Sequence, residues 1–488
     1  MMLRFLWIVL LGILPLLGCA RNISPLDYGL LSAKSDIERY EVLLETHRRA
    51  MEKGYGVTYK GISQINVEIP ARGATSIPLP HYTDFAGVMI VVRNQVKTIP
   101  LFSFSQELKE IQLSKEQLAS GNYRDAKELN KGRKLLVIID QLNWVERRAG
   151  HSNGATRKDI LLLKRGRALN NVIASYGDDE SQPKFYWCNV PPKKIVVKNL
   201  IFERTADSNA ITTLFTISNA DNVLIKRIVV NTPKGTGLYG ETALKFENCT
   251  NLKVEDVTIN GTYSLRDKYG YGIGMNNVWK SSFVRLKANG DWGIFGNNNV
   301  NFSQYDQCDI NRVDIHCYGK DVFCRNSTFR DLYNQFSSLY GTLSYENCHF
   351  VNFVPVLFES SYSAYTQFKL IIKDCIIEVA SDRPYLISAG NPAKLSENPR
   401  RELSKASWPD IEIRNLRVLL PVNAKSWTLF QLKGGGGTDI FGISDIAVEG
   451  LEIVGGNLPK VVLSNSKMRY QRKPSIRLSK SNIDRIEE

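Results

Sequence analysis

The chain has 488 residues, with 43% hydrophobic and 23% charged side chains, and these ordinary globular values exclude a disordered, collagen-like or polytopic membrane protein. Sixty-three Lys and Arg against 49 Asp and Glu leave a net charge of +14. Such a surface suits an anionic partner, whether nucleic acid, lipid headgroups or an acidic polysaccharide.

The first element is an apolar run, Phe5 to Leu17, preceded by Arg4 and interrupted by Gly12 and Pro15. It is too short to span a bilayer and has the shape of a signal-peptide core. It ends in Leu16-Leu17-Gly18-Cys19, which resembles a bacterial lipobox. That resemblance implies a signal peptide over residues 1–18 and lipidation of Cys19, with plain secretion as the alternative. The expected location is the outer membrane, at the cell surface of a Gram-negative bacterium, held by the lipid anchor only. Export argues against nucleic acid as the partner.

Next comes an amphipathic helix over Asp36 to Lys53, with Ile37, Tyr40, Leu43, Leu44 and Ala50 on one face. A helix at this place would cap the apolar end of a repeat. Ser105 to Ser120 reads as a second helix, in an insertion. Residues 19–190 as a whole read as an N-terminal cap with the first irregular coils.

From about residue 191 the chain repeats one phrase: Asn or Asp, a short alternating strand, a polar break and a second strand. The first strands follow Asn222, Asn251, Asn277, Asn299, Asp321 and Thr342, in steps of 29, 26, 22, 22 and 21 residues. The second strands follow Asn199, Arg227, Asp256, Asn326, Asn347, Asp374, Asn415 and Gly450. Such a period with no helical stretch between strands predicts a solenoid, in which stacking buries a face that one coil cannot bury alone. A propeller blade would need about 40–45 residues. The fold class expected is all-β, a right-handed parallel β-helix with an N-terminal helical cap, running to residue 488 with late loops at 391–407 and 434–437. Seven cysteines follow Cys19, with no C-x-x-C pair or zinc spacing. They are expected to be reduced and stacked in the core.

Asp27-Tyr28-Gly29, Asp36, the helix and Gly54-Tyr55-Gly56-Val57 resemble the opening of the pectate-lyase-like β-helix superfamily. That superfamily includes lyases, hydrolases, epimerases, viral tailspikes and adhesins. The chain also resembles the polysaccharide lyases that tethered, Bacteroidota-like bacteria use on host glycans.

One strand stands apart. In residues 311–321, alternation puts Val313, Ile315 and Cys317 on the buried face and Arg312, Asp314, His316, Tyr318 and Lys320 on the outer one. Coil arithmetic adds Asn298, Tyr340, Trp292, Asn334 and Arg325, with Asp291, Asn276, Tyr333, Glu359 and Tyr362 in the same sector. Aromatic rings beside amides suit a saccharide subsite. A lyase of uronic-acid glycans needs a group to neutralise the carboxylate, a base for the C5 proton and an acid for the leaving oxygen. His316, Tyr318, Lys320, Tyr340 and Asp314 are the catalytic candidates. Arg312, Asn298, Trp292, Asn334 and Arg325 are the substrate-binding ones. The favoured substrate is a glycosaminoglycan such as chondroitin sulfate, dermatan sulfate or hyaluronan. Two readings stay open beside the lyase: a hydrolase using paired carboxylates from Asp291, Asp309, Asp314, Asp321 and Glu359, and a non-catalytic glycan-binding surface lipoprotein. The polygalacturonase signatures and the R-x-P-x-x-R phrase of pectate lyases are absent. No cofactor is required by the lyase reading; Ca2+ is admitted, with no ligand set assigned. The chain is expected to act as a monomer on an acidic polysaccharide.

Overall fold

A computed structural model describes residues 21–70, 72–94, 99–146, 154–172, 183–205, 213–231, 242–260, 271–288, 294–336, 339–358, 366–379, 384–389, 409–432, 445–456, 460–464 and 474–487. Cys19, Asp291, Trp292, Glu359, Tyr362 and both late loops lie outside them. The dominant feature is a 28-stranded sheet of parallel pairings, each strand bonded to its counterpart one coil on. This is a parallel β-helix.

Each coil has three short faces, and the residues that separate them share one conformation. Asn222, Asn251, Asn277, Asn299 and Asp321 have φ between 52° and 61°, and Asn199, Arg227, Asp256, Asn326, Asn347, Asp374, Asn415 and Gly450 are also left-handed. Asn and Asp tolerate this region better than most residues do. The amides then bond from coil to coil: Asn248 Nδ2 donates to Asn219 Oδ1 and Asn277 Nδ2 to Asn248 Oδ1, each at 2.9 Å. Inside, Phe215–Leu244–Ile273–Phe295 and Val223–Leu252 stand in register and buried. Cys249, Cys308, Cys324, Cys348 and Cys375 are buried free thiols of this core, as expected. Cys348 N–H donates to Cys375 Sγ at 3.4 Å. Burial pushes the Cys249 and Cys308 thiols up to about 12.

The parallel stacking begins well before residue 191. Asn22–Ile23 pairs with Gly56–Thr58, which pairs with Tyr82–Asp84, which pairs with Ile195–Arg204. Phe102–Ser105 likewise pairs with the Phe215–Asn231 strand. The first coils are thus regular, and residues 106–190 are an insertion between them and the rest.

The Asp36–Lys53 helix forms where the periodicity puts it, with Ser35 accepting from Glu38 N–H at its start and Gly54 closing it at φ 65°. It packs on the strands of the first coil through Tyr40, Leu43, Thr46, His47 and Ala50. Ile37, expected on this face, is 36% exposed. His47 is fully buried against Phe102, with ring centroids 5.6 Å apart. Its Nδ1 lies 2.8 Å from Pro78 O and its Nε2 2.8 Å from Tyr59 Oη. Burial, opposed in part by the Pro78 carbonyl, lowers its pKa to about 4.

The folded state therefore binds fewer protons than the unfolded chain between pH 6.5 and 4. His47's share of stability is complete above pH 6.5 and is lost as pH falls toward 4, by roughly 2–3 kcal/mol. Urea titrations at pH 7.5 and 4.5 should show that loss, and His47→Gln should flatten it. An equal pH dependence in the variant would place the effect elsewhere.

The insertion is a five-stranded sheet, antiparallel throughout. The helix expected at Ser105–Ser120 is reduced to Lys115–Ser120, preceded by a strand at Lys109–Ile111. The run Leu135–Ile139 is buried at every position because the sheet is covered on both sides. Leu135, Val137 and Ile139 face the insertion's own core with Tyr123 and Trp187. Leu136 turns toward the solenoid with Ile160, Leu162, Cys188 and Trp279. Among the described residues no helix is long and apolar enough to cross a membrane.

Candidate functional site

The singled-out strand runs Asp314–Arg325 and lies between Phe295–Asp306 and the Tyr333–Phe336 and Leu339–Glu346 strands. Val313 and Ile315 point inward, as alternation requires. Arg312, Asp314 and His316 take the outer face, but they are not solvated: 1%, 0% and 6% exposed. The expectation of an open outward row is corrected here, because neighbouring side chains close over them.

The cover is specific. Arg312 Nη2 donates to Asp314 Oδ2 and to Gln335 Oε1, both at 2.5 Å, and its guanidinium lies 4.9 Å over the Tyr333 ring. Tyr271 Oη donates to Asp314 Oδ2 from two coils away, at 3.2 Å. His316 Nε2 stands 2.6 Å from Asp314 Oδ1. Burial pushes the Asp314 carboxyl up, but Arg312, His316 and Tyr271 outweigh it and hold the group below its ordinary value. The result is a carboxylate kept ionised in a dry place, with a histidine as its outermost partner.

Tyr271 reaches this far because Gly296 lies in its path without a side chain. A Cβ there would stand 2.5–2.8 Å from three Tyr271 ring carbons. Gly296→Ala should push the ring off Asp314 and cost about 1.5–3 kcal/mol, the size of a hydrogen bond to a charged group. Tyr271→Phe should match it in urea titrations. If Gly296→Ala keeps wild-type stability while Tyr271→Phe does not, the ring does not cross there.

The other candidates divide. Asn298 is the register partner of His316, and Asn276 and Glu247 continue that row along the outer face. At ~4.8 Å between strands, the four positions span ~14 Å parallel to the solenoid axis. Lys320 is paired with Asn301 and Tyr340, on the next face. Between Asn298 and Val300 the register slips, so two residues, Cys317 and Tyr318, oppose Asn299 alone. The simple alternation therefore fails past His316; the side chains of Cys317 and Tyr318 lie outside the described set. Asn334, expected in a subsite, is buried inward: its Oδ1 accepts from Val313 N–H at 2.7 Å and its Nδ2 donates to Tyr345 Oη at 2.8 Å. Arg325 is at the far end of the strand, 3.4 Å from Glu346 and solvated. Asp309 pairs with Arg330 on another face, and Asp321 is a corner residue accepting from Thr342 N–H.

Tyr271, Gln335 and Tyr333 complete the cluster, and of these only Tyr333 was in the expected sector. Gln335 was findable as the residue one coil beyond Asp314. Tyr271 was not, since it is out of register with Asp314. Among the described residues no group of three or more His, Cys, Asp or Glu side chains converges as a metal site.

No family model matches the chain, and no curated protein matches it. Among solved structures it is similar to the tailspike protein gp49 of Pseudomonas phage LKA1, with 10% identity, 94% of this chain and 81% of that one covered, and a TM-score of 0.55. The tailspike gp61 of Pseudomonas phage phi297 follows at 11% identity, 89% and 80% coverage and a TM-score of 0.49. An exopolygalacturonase from Thermotoga maritima shows 9% identity, 94% and 92% coverage and a TM-score of 0.43. The likeness to the gp49 tailspike over nearly the whole chain shows the shared fold, a parallel β-helix.

Proposed function

We propose that this protein is a polysaccharide lyase that cleaves an anionic, uronic-acid-containing polysaccharide by β-elimination, with glycosaminoglycans as the first choice. One observation carries the reading: the ionised, buried Asp314 contacts His316, whose side chain keeps 8% of its surface open. A carboxylate behind an imidazole orients it. His316 then takes the C5 proton. The C4–O bond breaks as the C4–C5 double bond forms, and a tyrosine, Tyr340 or Tyr318, returns a proton to the leaving oxygen. Asn298, the register partner of His316, holds the uronate carboxylate, and Lys320 adds positive charge from the next face. Arg312 is moved from substrate binding to positioning, since Asp314 and Gln335 engage its guanidinium. No step is routed through a metal.

The test incubates the protein with chondroitin sulfate, dermatan sulfate, hyaluronan, alginate and polygalacturonate. Ultraviolet absorbance from an unsaturated product supports the lyase. New reducing ends without absorbance would replace it by a hydrolase, and neither signal would leave a binding protein. The anchor is proposed with it: Cys19→Ala should move the protein from the membrane to the soluble fraction, and unchanged fractionation would refute lipidation.

A further inference from the structure

Two of the buried thiols are direct neighbours in one ladder. The inward position after the last left-handed corner of successive coils is held by Cys308, Ser327, Cys348 and Cys375, each one residue before the paired positions Asp309, Thr328, His349 and Ile376. Ser327 separates Cys308 from the others, and no residue separates Cys348 from Cys375. Ile376 N–H donates to Cys348 O at 3.0 Å, and Cys348 N–H donates to Cys375 Sγ at 3.4 Å. At the ~4.8 Å spacing of neighbouring strands, their Cα atoms fall inside the ~4.4–6.8 Å range that a disulfide spans. The two thiols are also chemically unequal. Burial raises the pKa of Cys188, Cys249, Cys308 and Cys324. Cys348 is raised too, first by its hydrogen bond with the Cys375 thiol and then by burial. Cys375 alone among the described cysteines is lowered, because the Cys348 thiol, helped by the Cys348 N–H, outweighs burial. A thiol so favoured as thiolate is the nucleophile of a pair.

We infer that Cys348 and Cys375 are a dithiol that closes to a disulfide between neighbouring coils by exchange with a disulfide-bearing oxidant. The Cys375 thiolate attacks one sulfur of the oxidant and displaces its first thiol. Cys348 then loses its proton, attacks Cys375 Sγ in the mixed disulfide and displaces the second thiol. One S–S bond forms in the protein and one breaks in the oxidant, whose two sulfurs take up two electrons and two protons. The thiols are only 2% and 1% exposed, so exchange waits for their coils to part. They lie one and two coils past the Asp314–Arg325 strand that the insertion touches, toward an end from which a solenoid frays. Once closed, the bond ties positions 27 residues apart in the chain and restricts the unfolded state. The inference does not rest on the lyase reading.

The test treats the full chain, carrying Cys19→Ala, with glutathione disulfide, alkylates the remaining thiols under denaturing conditions and maps the bonds by peptide mass. One disulfide, Cys348–Cys375, should form, and sub-denaturing urea should speed its formation several-fold. The oxidised protein should melt about 3 °C or more above the reduced one. Cys375→Ser should abolish both the bond and the gain, whereas Cys308→Ala should still form the bond. Thermal melting of the reduced variants checks that they are folded. Absence of the bond after refolding from urea in the same oxidant would overturn the inference, since the thiols are then fully accessible. So would a lasting glutathione adduct on either thiol, or a bond from either to another cysteine. A Cys348–Cys375 bond that lowers the melting midpoint would overturn it as well, by showing that the coils must be distorted to close it.

Discussion

Replacing Asp314 by Asn is expected to be the most damaging single change in the protein. Arg312 is 1% exposed and takes a counter-charge from this carboxylate, beside Gln335 and the Tyr333 ring. Breaking a buried pair from one side typically costs about 3–5 kcal/mol, because the surviving charge cannot be resolvated. His316 simultaneously loses the group that orients it, so turnover should fall about 10²–10⁴-fold. A urea titration and a rate measurement read the two losses separately. Removing the charge from both sides, Arg312→Gln with Asp314→Asn, should recover most of the stability and none of the activity. Wild-type stability in the single variant would show that Arg312 is balanced by something else. The stabilising share of Asp314 should persist to low pH. Its folded pKa is depressed, so its contribution is present above its unfolded value of about 3.9 and is lost only as pH falls below that.

His316→Ala should separate chemistry from folding. Asp314 keeps Arg312 and Tyr271 when the imidazole is gone, so its charge remains matched. Turnover should drop about 10²–10⁴-fold, the usual worth of a positioned acid or base. The unfolding midpoint should move far less than in the Asp314 variant. Added imidazole should restore part of the rate, since the variant leaves room beside the carboxylate. Full activity in His316→Ala would place the chemistry elsewhere on the solenoid.

The solenoid was readable because its corners are chemical. Left-handed corners favour Asn, Asp or Gly, and these mark most of the strand boundaries in the sequence from Asn199 to Gly450, with Arg227, Lys280, Arg285, Phe302 and Gln307 also left-handed. Only at Thr342 does the boundary fall one residue early, at Gly341 with φ 73°. The first coils read as irregular because the insertion breaks the period between Ser105 and Ile195. Its Leu135–Ile139 run is apolar without alternation, which carries no direction for the eye to follow. At the site, alternation correctly sorted Val313 and Ile315 from Arg312, Asp314 and His316. It could not show that the outer face is covered, since Tyr271 arrives from two coils away over a glycine. Nor could it foresee the register slip at Asn299, or that Asn334 faces inward to serve Val313 N–H.

The seating of the insertion has a dynamic consequence. A solenoid holds together mainly through neighbouring coils, so it frays from its ends. The insertion bridges several coils at once: Asn277 Nδ2 donates to Asp159 O at 3.3 Å, Asn299 Oδ1 accepts from Lys158 N–H at 3.3 Å, and Lys134 reaches Asp221. Opening any one of these coils means lifting a five-stranded sheet with it. Amide exchange should accordingly be slowest in Phe215–Asp306 and fastest toward the half-exposed Ser475–Ser479 strand. The catalytic candidates sit within the clasped section, since the insertion's Gly154–Lys164 strand also touches Asp314–Arg325, close to where the spine passes from stiff to yielding.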